Sequence, residues 1–244
     1  MTTVEFSKLR SIVQKHSSFY WIFINTLGYY IINNNVVGQY LQKIHIAPYL
    51  MLVYAFVISP VVSGLFFGLI QLGYMKIINR ELFIRHWSLM TSLSFFLINL
   101  INSYLALFLS QIIYKTTDIN FPSTSNIFTG NVIGGEMDLS IKILIVAFMG
   151  IAMGIVSGLA LGLFPSFSIM NKEIKREWIR RVIISMCISF VVNSIFYTVA
   201  YDRNLLGRHL GSLYTFGLLF TGFIYGASTR NTIKKLITGG LNPS

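Results

Sequence analysis

The chain has 244 residues, of which 54% are hydrophobic and only 11% are charged, and its formal net charge is +11. An ordinary soluble domain carries about 25% charged residues, so this composition, with a mean hydropathy of +0.67, excludes a soluble globular enzyme. The single cysteine, Cys187, excludes a disulfide-stapled secreted domain and a zinc ribbon. The positive charge indicates basic residues facing anionic lipid rather than a nucleic-acid partner.

Six apolar stretches are long enough to cross a bilayer, which takes about 20 residues of helix. They are residues 19–41, 49–74, 87–113, 141–170, 178–200 and 210–227. We therefore expect an all-α fold: one transmembrane domain over residues 1–244, a bundle of six transmembrane helices. The outer loop, residues 115–140, is the only sizeable soluble segment.

The basic residues fall mainly on one side of this six-span arrangement, and Lys and Arg accumulate on the cytoplasmic side of membrane proteins. The N-terminal segment, the loops after spans two and four, and the C-terminal tail together hold fourteen of the 19 Lys and Arg residues. Both termini are therefore expected in the cytoplasm. The membrane would be a bacterial inner membrane, a thylakoid-type membrane or an organellar equivalent.

Three segments share a pattern of a small residue, then glycine, then a second glycine four residues later. They lie in spans two, four and six, at residues 63–69, 157–163 and 221–227. Spans one, three and five each open with one of the three tryptophans, Trp21, Trp87 and Trp178. The pattern predicts three tandem helical hairpins, with the outer loop inserted in the second. The tryptophans themselves are interpreted as anchors at the lipid–water interface.

Small residues four apart let two helix backbones approach closely, which favours helix association in lipid. The candidate packing residues are Gly64, Gly68, Gly150, Gly154, Gly158, Gly162, Gly222 and Gly226. This pattern leaves two uses open. The glycine faces pack helices of this chain together, or they contact a partner subunit or a second copy.

No charged residue lies deep inside a predicted span, which disfavours an ion-coupled carrier. The candidate polar residues at depth are instead amides: Asn25, Gln71, Asn99, Asn102 and Asn193. They either bond across helices or line a path for a polar solute. The sequence shows no catalytic motif and no metal-ligand spacing, so we expect no enzyme activity, no metal and no cofactor.

The glycine motif at residues 64–71, with a tryptophan opening the next span, resembles a group of poorly characterised bacterial membrane proteins common in cyanobacteria. The resemblance covers spans two to five at most. It implies no reaction and adds only a lineage.

The sequence thus favours a non-enzymatic accessory or structural subunit, packed through glycine-rich helix faces against partner membrane proteins or itself. The alternative is a permease or transport subunit in which the amides of spans one, three and five line a solute path.

The six-span topology predicts that both termini lie on the cytoplasmic side, because an even number of spans returns the chain to its starting side. Epitope tags at each end should resist protease in right-side-out vesicles and be cleaved in inverted ones. Cleavage of either tag from the outside would contradict the topology.

Overall fold

The computed structural model describes residues 16–33, 48–79, 84, 86–117, 138–203 and 206–239. Within these residues the chain is helical and forms no strand, which confirms the predicted all-α fold. The helices are α1 (Ser17–Asn33), α2 (Pro48–Val53), α3 (Ser59–Ile78), α4 (Trp87–Thr117), α5 (Leu139–Ser166), α6 (Lys172–Asp202) and α7 (Leu206–Gly239). A π-helical turn, Tyr54–Ile58, connects α2 to α3 without a break.

Four helical segments among the described residues are long and apolar enough to cross a membrane: Tyr49–Ile78, Trp87–Leu105, Leu139–Ser166 and Lys172–Ala200. Helices α6 and α7 extend beyond the predicted spans into basic sequence. The end of the predicted first span, residues 34–41, and most of the predicted outer loop, residues 118–137, lie outside the described residues.

The π-helical turn has an identifiable cause in Pro60, which has no N–H to donate to the carbonyl four residues earlier. That carbonyl belongs to Phe56. The amide of Asn99 on α4 donates to it at 3.3 Å and to the carbonyl of Ala55 at 3.2 Å. A neighbouring helix therefore satisfies backbone groups that the proline leaves without a partner.

Helices α3 and α4 meet at glycines. A Cβ placed on Gly64 would lie 2.6 Å from the Cα of Ser92, and one on Gly68 would lie 2.6 Å from the Cα of Ser88. Such distances leave room only for hydrogen, so the two backbones are in direct contact. The hydroxyl of Ser92 adds a hydrogen bond of 2.6 Å to the carbonyl of Val61.

Helices α5 and α6 have the most extensive contact of any helix pair described. A Cβ on Gly158 would lie 2.5 Å from the Cα of Ile183, and one on Gly162 would lie 3.2 Å from that of Ile179. Two further glycines one and two turns earlier, Gly154 and Gly150, meet the same helix backbone. The four glycines form a continuous packing face.

Helix α7 returns to α1 and repeats this geometry. A Cβ on Gly222 would lie 2.8 Å from the Cα of Thr26, and one on Gly226 would lie 2.8 Å from that of Ile22. Among the described helices, the last therefore packs against the first, and this pairing closes the bundle.

The three glycine contacts share one register. In each, the first glycine meets the residue five positions after a tryptophan, and the second meets the residue one position after it. Each helix that carries two motif glycines packs most closely on a helix that carries a tryptophan: α3 on α4, α5 on α6 and α7 on α1. The closest packing therefore does not occur within the predicted hairpins, where a tryptophan helix precedes its glycine helix.

Polar contacts join the helices at both ends of the bundle. At one end, Lys235 of α7 pairs with Glu177 of α6 at 2.7 Å. At the other, the nearly buried Lys142 of α5 pairs with Asp202 of α6 at 2.6 Å. Asp138 caps α5 by accepting from the backbone N–H of Ser140, and hydrogen bonding to Ser140 lowers the pKa of this carboxyl.

Gly158→Leu should destabilise the bundle, because its side chain would enter space that the Ile183 backbone occupies. Overpacking of this kind costs about 1–3 kcal/mol or more. Gly73→Leu on α3 is the matched control, since a Cβ there meets nothing within 4 Å. Thermal unfolding of both variants in detergent measures the difference; equal melting temperatures would refute the close-contact argument.

Candidate functional site

The three tryptophans are buried inside the bundle. The exposed fraction is 1% for Trp21 and 0% for Trp87 and Trp178. An interface anchor keeps its ring at the boundary between lipid and water, whereas all three rings are enclosed by helices of the chain itself. Their role as interface anchors stays a prediction. Each indole packs between helices of the chain, because the neighbouring glycines bring the backbones close enough to enclose it.

Around the tryptophans, aromatic rings from five helices pack together in the interior of the bundle. Trp87 and Trp178 stack edge to face at 5.2 Å between centroids, and Tyr225 contacts Trp178 at 6.0 Å. Phe67 lies 6.0 Å from Tyr225 and 5.6 Å from Phe95. Tyr29 meets Phe67 edge to face at 5.6 Å. We call the set Tyr29, Phe67, Phe95, Trp87, Trp178 and Tyr225 the aromatic cluster. Its edge-to-face contacts are the geometry that ring quadrupoles favour.

Two of the indoles donate to side chains at equivalent positions. Trp87 donates its Nε1 proton to Gln71 at 3.0 Å, and Trp21 donates to Thr229 at 2.9 Å. Both acceptors stand three residues after the second glycine of their helix. The glycine register therefore places a hydrogen-bond acceptor beside the tryptophan of the next helix.

The third pair of helices, α5 and α6, lacks this acceptor. The residue three positions after Gly162 is Pro165, which has no polar side-chain atom. The buried Nε1 of Trp178 accordingly has no hydrogen-bond partner in the described part of the chain. A buried donor left without an acceptor costs about 1–3 kcal/mol.

The amides Asn25 and Gln71, predicted as path residues, bond to each other. Gln71 donates to the Oδ1 of Asn25 at 2.8 Å, and Asn25 donates to the backbone carbonyl of Trp21 at 2.7 Å. With the bond from Trp87, they form a buried polar chain that joins α1, α3 and α4.

Asn102 and Asn193 are equivalent residues, each fifteen positions after its tryptophan. Asn102 donates to the hydroxyl of Ser157 at 2.7 Å, and Asn193 donates to that of Thr221 at 3.0 Å. Both acceptors immediately precede a first glycine. The Oδ1 atoms of both asparagines are buried and lack a partner among the described residues.

All five predicted path amides thus bond within the bundle: Asn25, Gln71, Asn99, Asn102 and Asn193. The structure brings Asn25 and Gln71 together and ties the other three to separate helix contacts. The acceptors Ser157, Thr221 and Thr229 were not among the predicted site residues. Their constant offset from the glycines was the signal that could have found them.

The predicted packing glycines face helices of the same chain. Gly64, Gly68, Gly150, Gly154, Gly158, Gly162, Gly222 and Gly226 each have a neighbouring helix within 4 Å of a Cβ position. Packing of helices within this chain, the first of the two uses left open above, therefore occupies these faces, and contact with partner proteins through them stays a prediction.

Among the residues the structure describes, no three His, Cys, Asp or Glu side chains form a group able to hold a metal ion. No protein-family model, curated protein or solved structure matches this chain. The resemblance to cyanobacterial membrane proteins stays a prediction.

Pro165→Thr should stabilise the protein relative to Pro165→Val, its isosteric control. Both restore a backbone N–H in α5, but only the threonine offers Trp178 an acceptor. A hydrogen bond between membrane helices contributes about 0.6 kcal/mol on average. Giving the buried Nε1 proton of Trp178 an acceptor also removes the cost of leaving it without a partner. The free energy of unfolding in detergent is the measurement. A threonine variant no more stable than the valine variant would rule out the equivalence of Pro165 with Thr229.

Proposed function

We propose that this protein is a non-enzymatic, six-span integral membrane protein that serves as an accessory or structural subunit. Its six spans would form three equivalent units, with both termini in the cytoplasm. The repeated register supports this count. The pairs α3–α4 and α5–α6 consist of helices able to cross a membrane, and α7–α1 packs in the same register. Because helix pairs in the same register are expected at equal depth in the bilayer, α1 and α7 would cross it as well.

One observation carries the structural role. The polar side chains that a solute path would use are bonded helix to helix, and the aromatic cluster fills the interior beside them. Such a polar network fixes the helix arrangement rather than presenting groups to a passing molecule.

Partner proteins would contact the outer surface of the bundle. Helix α5 presents an outward apolar stripe with the spacing of a single helix face: Leu144, Phe148, Ile151 and Ile155, whose exposed fractions are 72%, 66%, 46% and 42%. In a membrane this stripe faces lipid or another subunit, since the glycine face of α5 is covered by α6.

A permease is the alternative function, and one feature favours it. The buried Oδ1 atoms of Asn102 and Asn193 have no partner in the described region. Two equivalent free acceptors deep in a bundle suit a solute that carries hydrogen-bond donors.

A photo-crosslinking amino acid at Phe148 should join the tagged full-length chain to other membrane proteins in native membranes. Phe148 is 66% exposed on the outer stripe, whereas Phe95, the control site, is fully buried in the aromatic cluster. Mild-detergent purification and mass spectrometry identify the adducts.

The accessory role predicts a reproducible protein adduct from Phe148 and none from Phe95. It also predicts co-purification of the same partner without cross-linking. Recovery of the chain alone, with only lipid adducts from Phe148 and from a second outward position, Phe66, would overturn the proposal and favour the permease.

A further inference from the structure

The first three turns of α6 carry a row of cations on one face. Lys172, Arg176 and Arg180 follow one another at four-residue spacing, and both arginines and the lysine are exposed. None of the three forms an ion pair with a described residue, whereas the nearby Arg181 and Lys235 share Glu177. Like charges at this spacing repel each other on a helix, so a bound anion would stabilise the row.

Apolar residues continue the same surface toward the middle of the helix. A shallow, open groove along this face of α6 is lined by the three cations, by Lys175, and by Ile179, Ile183 and Ile184. Ile183 and Ile184 lie one turn beyond Arg180, within a helix able to cross a membrane, Lys172–Ala200. Charged groups stand at the rim and branched apolar side chains lie below them.

The segment between α5 and α6 also places apolar side chains next to the cations. The ammonium of Lys175 lies 4.8 Å from the centre of the Phe167 ring. Phe167 and Met170, between α5 and α6, are 64% and 86% exposed. Exposed apolar side chains directly beside a cation row are typical of the boundary between headgroups and acyl chains.

We propose that this groove binds one anionic phospholipid. Lys172, Arg176 and Arg180 hold the phosphate. An acyl chain lies along the exposed Ile184 and the half-buried side chains of Ile179 and Ile183, whose backbones contact α5.

The cations outnumber the two carboxylates beside them, Glu173 and Glu177, and so select an anion. The apolar floor selects a ligand with a hydrocarbon tail. An acidic protein segment would satisfy the cations but would leave the isoleucine floor without an apolar counterpart. The proposal rests on the membrane location in the proposed function, and it is independent of any protein partner.

Native mass spectrometry of the purified full-length chain tests the site. The protein in mild detergent is titrated with phosphatidylglycerol and, separately, with phosphatidylcholine. We expect one phosphatidylglycerol bound with at least about 10-fold preference, because each basic contact near a membrane surface contributes measurably to anionic-lipid binding.

Two double variants of equal charge change provide the comparison. Arg176→Gln with Arg180→Gln should lower phosphatidylglycerol affinity by about 10-fold or more. Arg230→Gln with Lys234→Gln removes two exposed cations from α7 and should leave that affinity within about twofold, because those cations do not line the groove. Circular dichroism checks that both variants keep their helix content.

Several outcomes would overturn the site. Equal loss in the two double variants would mean general surface attraction rather than a groove. Equal affinity for the two lipids in the unmodified chain would remove the anionic selectivity. Displacement of the lipid by glycerol phosphate at equal concentration would assign the cations to a free phosphate. An acidic protein whose capture requires Arg176 and Arg180, with no lipid preference, would assign them to a protein partner.

The Phe148 cross-linking experiment distinguishes failure of this site from failure of the accessory role. It reports on the outer stripe of α5 and not on the α6 groove, so either result can stand without the other.

Discussion

The close approach of helix backbones at glycine is the constraint on which the rest of this structure depends. In lipid, helices gain little from the hydrophobic effect and associate through dispersion contacts and hydrogen bonds. A Cβ at Gly154 would lie 2.5 Å from the Cα of Cys187, so the absence of a side chain is what permits the contact. The same condition applies at six positions in one repeated register. At five of them, Gly64, Gly68, Gly158, Gly222 and Gly226, a Cβ would lie less than 3.0 Å from the neighbouring helix, so a larger residue should push the helices apart.

The buried polar groups depend on that approach. Because the backbones nearly touch, a tryptophan on one helix reaches the residue three positions after a glycine on its neighbour, and a single side chain such as Gln71 can join three helices. The structure tolerates one exception, at Trp178, where Pro165 replaces the acceptor. The departure from threefold equivalence therefore lies in the hydrogen bonding, while the packing register is kept.

The tertiary surroundings of the tryptophans and glycines cannot be predicted from the local sequence, and the physical reason is the same for each. A tryptophan near the end of an apolar stretch suits both an interface and a core, and only the packing of neighbouring helices decides between them. A glycine face suits an internal or an external helix equally, and Gly226 found its partner in α1, more than 190 residues earlier in the chain. Local spacing does not specify which helix that partner is.

The sequence by itself determined the all-α class, the approximate helix positions and the residues of close contact. These follow from composition, apolar length and small-residue spacing, which are local properties of the chain. Only the tertiary structure decided that α7 closes on α1, that the tryptophans are interior, and that the amides pair across helices. Those outcomes depend on which helices become neighbours in space, and the choice is made by the fit of whole surfaces.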